Sequence, residues 1–243
     1  MADFRDKLYE QYYNSQSGRR LNKSLADKIK ENHFQLSHEL LHLMPAEKSA
    51  AILDIGCGYG EWLMLLHENG YIQTQGIDIS AEQVETAHSL GLNNVHVADV
   101  FDYLKNNPST FDCITGIDII EHFSKEELVR LLELIRTSLK PAGIAIFRTP
   151  NMDGIFASVY AYGDFTHSCL LNYSSTMQLG IACGFKKVDV LPSFVYVSGF
   201  FKELMRKILW WYFKLYARLV LFSSGRSTQG VLLTPNLILV VRN

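Results

Sequence analysis

The stretch ILDIGCGYG at residues 52–60 decides the fold. An apolar run that carries one acidic residue, Asp54, leads into a turn that contains Gly56, Gly58 and Gly60. A short apolar run bounded by glycine is typical of a buried strand, and glycine permits both a tight turn and a close approach of the backbone to a ligand. The stretch therefore predicts a strand, a turn that contacts a ligand, and the beginning of a helix.

The spacing of the glycines narrows the kind of ligand. A dinucleotide-binding turn has the pattern G-x-G-x-x-G, whereas here the third glycine comes one residue early and Glu61 stands at the expected place. A turn that approaches its ligand without clamping a phosphate suits a ligand that has no pyrophosphate. The spacing therefore disfavours a dehydrogenase.

Strand and helix patterns alternate along most of the chain. Short apolar runs predict seven strands, at 51–55, 72–79, 95–98, 111–117, 144–148, 186–191 and 237–241. Strands separated by helices indicate a mainly parallel sheet, and the last two strands have no ordinary crossover helix between them, which indicates an antiparallel edge. The predicted fold class is α/β, with a Rossmann-like, seven-stranded, mostly parallel sheet that has an antiparallel edge strand.

Capping signals predict the bounds of two later helices. Ser124 with Glu127, and Ser175 with Gln178, have the spacing of a capping box and are predicted to open a helix each. The first of these helices is predicted over residues 126–139, where Pro141 and Gly143 stop it.

Two segments lie outside the alternation. Residues 1–45 are predicted to form an N-terminal helical region, because apolar residues recur there at helical spacing, and residues 46–243 the main domain. Within that domain, 194–222 is an aromatic-rich insertion before the last strand. Lysine and arginine interrupt it too often for a membrane span. It predicts a helical lid or a helix on a membrane surface, and a helix packed on the protein or on a second subunit is the alternative.

Composition excludes several classes of protein. The net charge of −2 argues against nucleic acid as the partner. The cysteines are widely spaced and form no CxxC pair, which favours a reducing compartment over a zinc site or disulfides. The polar N-terminus has no apolar stretch typical of a signal peptide. We therefore expect a cytoplasmic protein.

Two further acidic residues follow predicted strands. Asp78 ends the second strand and Asp99 ends the third, so with Asp54 they place carboxylates at three successive strand ends, on the edge where sheets of this kind bind ligands. Asp78 is suited to accept from the hydroxyls of a ribose, and Asp99 from the amine of an adenine. The alternative is that both aspartates only cap helices or turns.

These motifs carry a family resemblance. ILDIGCGYGEW, GIDIS, VADVF and FDCITGIDIIEHF resemble class I methyltransferases that depend on S-adenosylmethionine (SAM), and are most similar to the ubiquinone-biosynthesis O-methyltransferases and bacterial glycan methyltransferases. The resemblance implies that SAM lies across the carboxyl ends of the first four strands. The residues it assigns to SAM are Asp54, Gly56, Gly58, Gly60, Asp78, Ile79, Asp99, Val100 and Ile117.

A polar cluster follows the fourth strand. Asp118, Glu121 and His122 share one face of a helical turn, and the resemblance implies that this turn borders the transferred methyl group. A later D-x-T-H motif ends in His167 and resembles a pattern in methyltransferases of bacterial surface glycans. His122 and His167 are candidate bases and Asp118 a third candidate catalytic residue. Alternatively, Glu121 and His122 only brace the loop and His167 lies at the surface.

The same cluster has the composition of a metal site. Asp118, Glu121, His122 and His167 would supply oxygen and nitrogen ligands suited to Mg²⁺, Mn²⁺, Fe²⁺ or Co²⁺. The arrangement resembles small-RNA 2′-O-methyltransferases, which have an E-x-x-E-H cluster and a later histidine. Here Asp118 replaces the first glutamate and has a shorter reach. A metal-free site with a histidine base remains the alternative.

The resemblance and these residues predict methyl transfer to a sugar hydroxyl of a bacterial surface glycan, such as a lipopolysaccharide, or of its precursor. The alternatives are methylation of a lipophilic molecule such as a polyprenyl phenol, and a SAM-binding module without catalysis. The expected partners are a glycan or lipid-linked glycan acceptor and, through the insertion, the inner face of the cell membrane or a glycan-assembly protein. No nucleic acid is expected.

Overall fold

The computed structural model describes residues 25–227 and 229–243. Its centre is a seven-stranded sheet in the order β3-β2-β1-β4-β5-β7-β6. The strands are β1 Ile52–Ile55, β2 Thr74–Asp78, β3 Val95–Val97, β4 Phe111–Ile117, β5 Leu139–Pro150, β6 Lys187–Pro192 and β7 Asn236–Arg242. β1 to β5 are parallel, and β7 is antiparallel to both β5 and β6. The predicted fold class is confirmed, with the antiparallel strand one position in from the edge strand β6.

Helices cover both faces of this sheet. They are α1 Leu25–Leu40, α2 Glu61–Glu68, α3 Ala81–Ser89, α4 Val100–Lys105, α5 Lys125–Ser138, α6 Ala157–Ala161, α7 Tyr173–Ala182 and α8 Phe200–Ser223. Short 3-10 turns occur at Leu41–Leu43 and Ile120–His122. The predicted N-terminal helical region is thus helical from residue 25, and residues 1–24 of it lie outside the described residues.

The core forms two layers because side chains alternate across each strand. In β1, Leu53 and Ile55 pack with α5, whereas Ile52 packs on the other face with α1 and α2. β7 shows the same alternation, with Leu239 in the first layer and Val240 in the second. Because both faces of the sheet are covered by helices, the open carboxyl edge is left for a ligand.

One predicted helix bound is wrong, and the predicted fifth strand is too short. α5 ends at Ser138, one residue before the predicted end, whereas β5 begins at Leu139 and not at Ile144, because Leu139 already pairs with Phe111 of β4. α7 begins three residues earlier than the Ser175 signal predicts. Asn172 is its N-cap, and Ser175 is the third residue of the helix, which completes the capping box with Asn172. The capping box at the start of α5 is confirmed, since Glu127 N–H donates to Ser124 Oγ (3.2 Å) and Ser124 N–H to Glu127 Oε2 (2.8 Å).

Candidate active site

A cavity of about 730 Å³ opens at the carboxyl edge of the sheet. It lies where the loops after β1, β4 and β5 meet the beginning of β7, and α1 contributes Asn32 and Gln35 to its wall. Its size is that of a small-molecule site. The residues predicted for the site that line it are Asp54, Gly56, Gly58, Ile117, Asp118, Glu121, His122 and His167.

The glycine turn after β1 needs its glycines for conformation and for space. Gly56, Gly58 and Gly60 all have positive φ, at 62°, 54° and 81°. A Cβ at Gly56 would lie 2.7 Å from Ile119 Cδ1, and one at Gly60 would lie 2.2 Å from Leu92 Cδ1. A Cβ at Gly58 would meet only Gln83 Oε1 at 3.8 Å, since Gly58 borders the cavity. The turn therefore presents backbone to the cavity, as the sequence predicts.

Asp54 is a buried carboxyl group at the floor of the cavity. Thr115 Oγ1 donates a hydrogen bond to its Oδ1 at 2.7 Å. Burial raises the pKa of Asp54 to about 7, and the negative charge of Asp78 adds to this effect. Asp54 is thus poised between its neutral and charged forms near neutral pH.

Asp78 connects the glycine turn to α3. Its Oδ2 accepts from Gly58 N–H (2.8 Å) and its Oδ1 from Ser80 N–H (2.9 Å). Burial raises its pKa despite these bonds. Each carboxylate oxygen can accept a second hydrogen bond, so contact with a ribose stays a prediction.

Asp99 has the capping role that the sequence left open. Its Oδ1 accepts from Phe101 N–H (2.9 Å) and Asp102 N–H (3.0 Å), which makes it the N-cap of α4. Contact with an adenine stays a prediction. Five of the residues predicted for SAM are not among those that line the cavity: Gly60, Asp78, Ile79, Asp99 and Val100.

Arg148 binds two carboxylates at the side of the cavity. Its Nε donates to Asp118 Oδ1 at 3.0 Å, a second nitrogen donates to Asp118 Oδ2, and a third donates to Glu39 Oε2 at 3.2 Å. The other oxygen of Glu39 accepts from Phe194 N–H at 3.1 Å. Burial raises the pKa of Glu39, while Arg148 opposes that rise. This network joins α1, β5 and the beginning of the insertion.

The predicted four-residue metal set comes together in part. The candidate ligand atoms of Glu121, His122 and His167 all lie within 4.8 Å of one another. Asp118 is not in this group; both of its carboxylate oxygens are bound by Arg148. Asp118 also adopts a positive φ of 53°, which turns the chain at the end of β4. The structure therefore brings together Glu121, His122 and His167, a group that we call the EHH cluster, and metal binding there stays a prediction.

His122 is oriented by the D-x-T-H loop. Its Nδ1 lies 2.8 Å from Thr166 Oγ1, and that hydroxyl donates to Asp164 Oδ1 at 2.6 Å. Because the hydroxyl proton points to Asp164, Thr166 accepts from the Nδ1–H of His122, which places the imidazole lone pair on Nε2. Burial, together with the neighbouring His167, lowers the pKa of His122 to about 4. His122 is therefore neutral at neutral pH.

His167 has the same tautomer. Its Nδ1 lies 3.2 Å from the carbonyl oxygen of Ala161, which can only accept, so the lone pair is on Nε2. The two imidazole rings meet edge to face, with centroids 4.9 Å apart. Both rings therefore carry an Nε2 lone pair within one small region.

Glu121 completes the EHH cluster with an unsatisfied oxygen. The side chain is buried, Oε2 accepts from Thr149 Oγ1 at 3.1 Å, and Oε1 has no hydrogen-bond partner among the described residues. Burial raises the pKa of Glu121 well above its ordinary value, and the charge of Asp118 raises it further. A buried carboxyl oxygen without a partner is costly. It indicates that a proton or a cation belongs beside it.

The fold and the site together define a class of protein. A glycine turn without a phosphate clamp, at the carboxyl edge of a sheet with one antiparallel strand, is the arrangement of class I SAM-dependent methyltransferases. Residues 28–232 match the family described as "Methyltransferase domain", and the chain belongs to this family.

Two enzymes illustrate the similarity in sequence. The norajmaline N-methyltransferase of Rauvolfia serpentina is 32% identical over 149 residues, which are 58% of this chain and 50% of that enzyme. A ubiquinone biosynthesis O-methyltransferase of Neisseria meningitidis serogroup C (strain 053442) is 29% identical over 106 residues, 41% of this chain and 44% of that enzyme. The match thus covers half or less of each relative, and the relatives methylate both nitrogen and oxygen.

A solved structure shows a similar fold. The SAM-dependent methyltransferase of Archaeoglobus fulgidus superposes with a TM-score of 0.67 at 18% identity, covering 98% of this chain and 99% of that one. Within the described part of the chain, the helices are too short or too polar to span a membrane.

Proposed function

We propose that this chain is a SAM-dependent O-methyltransferase that methylates a sugar hydroxyl of a bacterial surface glycan or its precursor, with help from a divalent cation held by the EHH cluster. One observation carries the proposal. Candidate ligand atoms of Glu121, His122 and His167 lie within 4.8 Å of one another in the cavity that the glycine turn lines, and Glu121 Oε1 has no hydrogen-bond partner among the described residues.

The chemistry needs a nucleophile and a place for one proton. The acceptor oxygen attacks the methyl carbon of SAM, the carbon–sulfur bond breaks, and its electron pair stays on sulfur, which leaves a neutral thioether. The hydroxyl proton is released to solvent, because the imidazole Nε2 atoms of the cluster would be taken up by the cation. The reaction requires the oxygen, the methyl carbon and the sulfur in line, and the cavity must therefore position both substrates.

His122 is only weakly basic, which favours a mechanism with a bound cation over one in which a histidine alone acts as the base. An imidazole with a pKa of about 4 is a weak base for a sugar hydroxyl. The same low pKa makes it a good ligand at neutral pH, because protons do not compete for Nε2. A cation bound there would satisfy Glu121 Oε1, lower the pKa of the bound hydroxyl and orient it. Oxygen and imidazole ligands suit Mg²⁺, Mn²⁺, Fe²⁺ or Co²⁺.

The polar wall of the cavity supports an acceptor with many hydroxyl groups. Asn32, Gln35, Glu61 and Asn236 line it beside the cluster, and such side chains can hydrogen-bond a sugar. The second candidate is a lipophilic phenol, which the similarity to the Neisseria enzyme favours. A phenol has a single hydroxyl group and could hydrogen-bond few of these polar groups.

The test uses labelled SAM and three kinds of acceptor: lipid-linked glycan precursors, a polyprenyl phenol and simple amines. The proposal expects S-adenosylhomocysteine release and labelled methyl ether only with the glycan, and only with divalent cation present. Turnover of only the phenol or only the amine would overturn the proposal that the acceptor is a glycan. Binding of SAM without release of product from any acceptor would leave a SAM-binding module.

A further inference from the structure

Helix α8 presents its apolar side away from the rest of the described chain. Its half-buried side chains recur at helical spacing along one side, and they are Glu203, Arg206, Trp210, Lys214, Ala217 and Leu221. On the opposite side the exposed residues include Phe201, Leu204, Ile208, Leu215 and Leu219. No described residue of α8 is fully buried. A helix of a globular protein normally does the reverse and turns its apolar stripe to the core.

The insertion is nevertheless held firmly at its base. His38 of α1 stacks on Phe194, with ring centroids 5.0 Å apart, and Phe34 contacts Tyr196 at 4.8 Å. Glu39 accepts from Phe194 N–H at 3.1 Å. Val197 N–H donates to Glu203 Oε2 at 3.0 Å, which fixes the first turn of the helix. The exposed face therefore has a defined direction.

The charge of α8 indicates what covers the exposed face. The helix carries five basic residues and one acidic residue, a net charge of +4, in a chain whose net charge is −2. Lys202, Lys207 and Arg218 flank the apolar side, where long basic side chains can lie along apolar groups and reach lipid headgroups. Trp211, Tyr212 and Tyr216 add the amphipathic rings typical of a membrane interface.

We propose that α8 lies in the surface of an anionic lipid bilayer and attaches the enzyme to it. Its 24 residues give an apolar strip about 36 Å long, too interrupted by charge to span the bilayer but suited to lie in its plane. A symmetric contact between two copies would place two helices of net charge +4 side by side, which like-charge repulsion opposes. An anionic surface attracts them instead.

The topology brings the active site to the same membrane. β6 ends and β7 begins at the carboxyl edge of the sheet, so α8 leaves the fold from the edge that holds the cavity. Pro235 and Asn236, which follow the insertion, line that cavity. A bilayer bound by α8 is thus close to the site where the acceptor must enter.

The experiment is flotation of the full-length protein with two kinds of vesicle, phosphatidylcholine alone and equal parts of phosphatidylcholine and phosphatidylglycerol. We expect flotation with the anionic vesicles and little with the neutral ones. A double variant, Ile208→Glu with Leu215→Glu, should lose flotation. Both side chains are exposed, 53% and 43%, so the fold should survive. Ile181→Glu, at an isoleucine on α7 that is 63% exposed, is the control and should float like the wild type.

Substitution of basic residues and tryptophan fluorescence give two independent measurements of vesicle binding. Lys207→Ala and Arg218→Ala should each lower partitioning into anionic vesicles about fivefold. Trp62 is buried, so a blue shift of tryptophan emission on adding vesicles reports Trp210 and Trp211. Failure of the wild type to float at low salt would overturn the proposal. So would a stable dimer in solution that the Ile208/Leu215 double variant converts to monomer, because the face would then bind a second copy.

Discussion

At the scale of single residues, Thr166 has a positioning role that the structure makes testable. Its hydroxyl bridges His122 and Asp164, and it fixes the tautomer of His122. Thr166→Val keeps the shape and removes the bridge, so we expect a loss of metal affinity of roughly 10–100-fold, the usual effect of losing such an outer hydrogen bond. Thr166→Ser should restore affinity. The measurement is calorimetric titration with Mn²⁺ or Co²⁺, and equal affinity in the valine variant would show that Thr166 only packs.

The unpartnered oxygen of Glu121 gives a prediction for the metal-free protein. Because the folded-state pKa of Glu121 is raised, the unfolded state loses its proton first as pH rises. Glu121 therefore lowers the free energy of unfolding progressively as the pH rises from its ordinary pKa to its raised pKa. Glu121→Gln should be more stable than the wild type at neutral pH and similar to it near pH ~4.

Thermal unfolding of both proteins in the presence of a chelator, over that pH range, is the measurement. Glu85→Gln, at an exposed site on α3, is the control and should follow the wild type throughout. A variant no more stable than the wild type at neutral pH would show that Glu121 Oε1 has a partner in solution.

Asp78 gives a prediction for cofactor binding. It holds Gly58 N–H and Ser80 N–H, and it is the expected acceptor of the ribose hydroxyls. Asp78→Ala should weaken SAM by ~1.5–3 kcal/mol, the range for a charged hydrogen-bonding group. Asp102→Ala, exposed on α4, removes an equal charge from the same edge and should have little effect. Calorimetry that finds unchanged affinity in Asp78→Ala would remove Asp78 from the site.

Local spacing was sufficient to predict part of the site at this scale. Glu121 and His122 are neighbours in sequence, and the D-x-T-H motif marked His167. By contrast, Glu39 and Arg148 are 109 residues apart and meet only in the folded chain. The sequence therefore could not predict that Arg148 would bind both oxygens of Asp118, which takes Asp118 out of the metal set.

At the scale of elements, the two glycines that flank α2 offer a matched pair of substitutions. Gly60 and Gly70 have nearly the same positive φ, 81° and 85°, at the two ends of α2. A Cβ at Gly60 would lie 2.2 Å from Leu92 Cδ1, whereas a Cβ at Gly70 would have nothing within 4 Å. Gly70→Ala should cost about 1–2 kcal/mol for the left-handed conformation alone. Gly60→Ala should cost that and about 1–3 kcal/mol more for overpacking.

Urea unfolding of the two alanine variants measures this difference directly. The left-handed backbone conformation costs both variants a similar free energy. The difference between their free energies of unfolding therefore measures the clash with Leu92 alone. Equal destabilisation would mean that Leu92 moves aside without cost, and that the Gly60 position is limited by backbone conformation only.

The element scale also shows where sequence patterns fail. Strand positions were predicted well, because apolar runs report burial on both faces of a parallel sheet. The beginning of β5 was not, because proline and glycine at 141–143 interrupt the apolar pattern before Ile144. Leu139 nevertheless pairs with Phe111, and a register shift follows before pairing resumes at Ile144. The Asn172 cap was missed because two capping signals compete there. Asparagine three residues before Ser175 is itself a capping signal.

At the scale of the whole molecule, the Glu39–Arg148 contact connects the N-terminal helix, the sheet and the insertion. Glu39→Ala leaves Arg148 with Asp118 alone and frees Phe194 N–H. Breaking a buried pair in this way is strongly destabilising, by about 3–5 kcal/mol. Denaturant unfolding should show this loss, and flotation of the variant with anionic vesicles should weaken as the insertion loses its anchor. A change below ~1 kcal/mol would show that water replaces the carboxylate.

The two ends of the insertion meet at the sheet. Ser193 N–H donates to Asn236 O, and Asn236 N–H donates to Ser193 Oγ, both at 3.3 Å, so the chain leaves and re-enters at nearly one point. In evolutionary terms, a segment whose two ends meet in this way can change in length or sequence while the pairing of β6 with β7 stays the same. The surface that α8 presents and the lining of the cavity can then vary independently of each other.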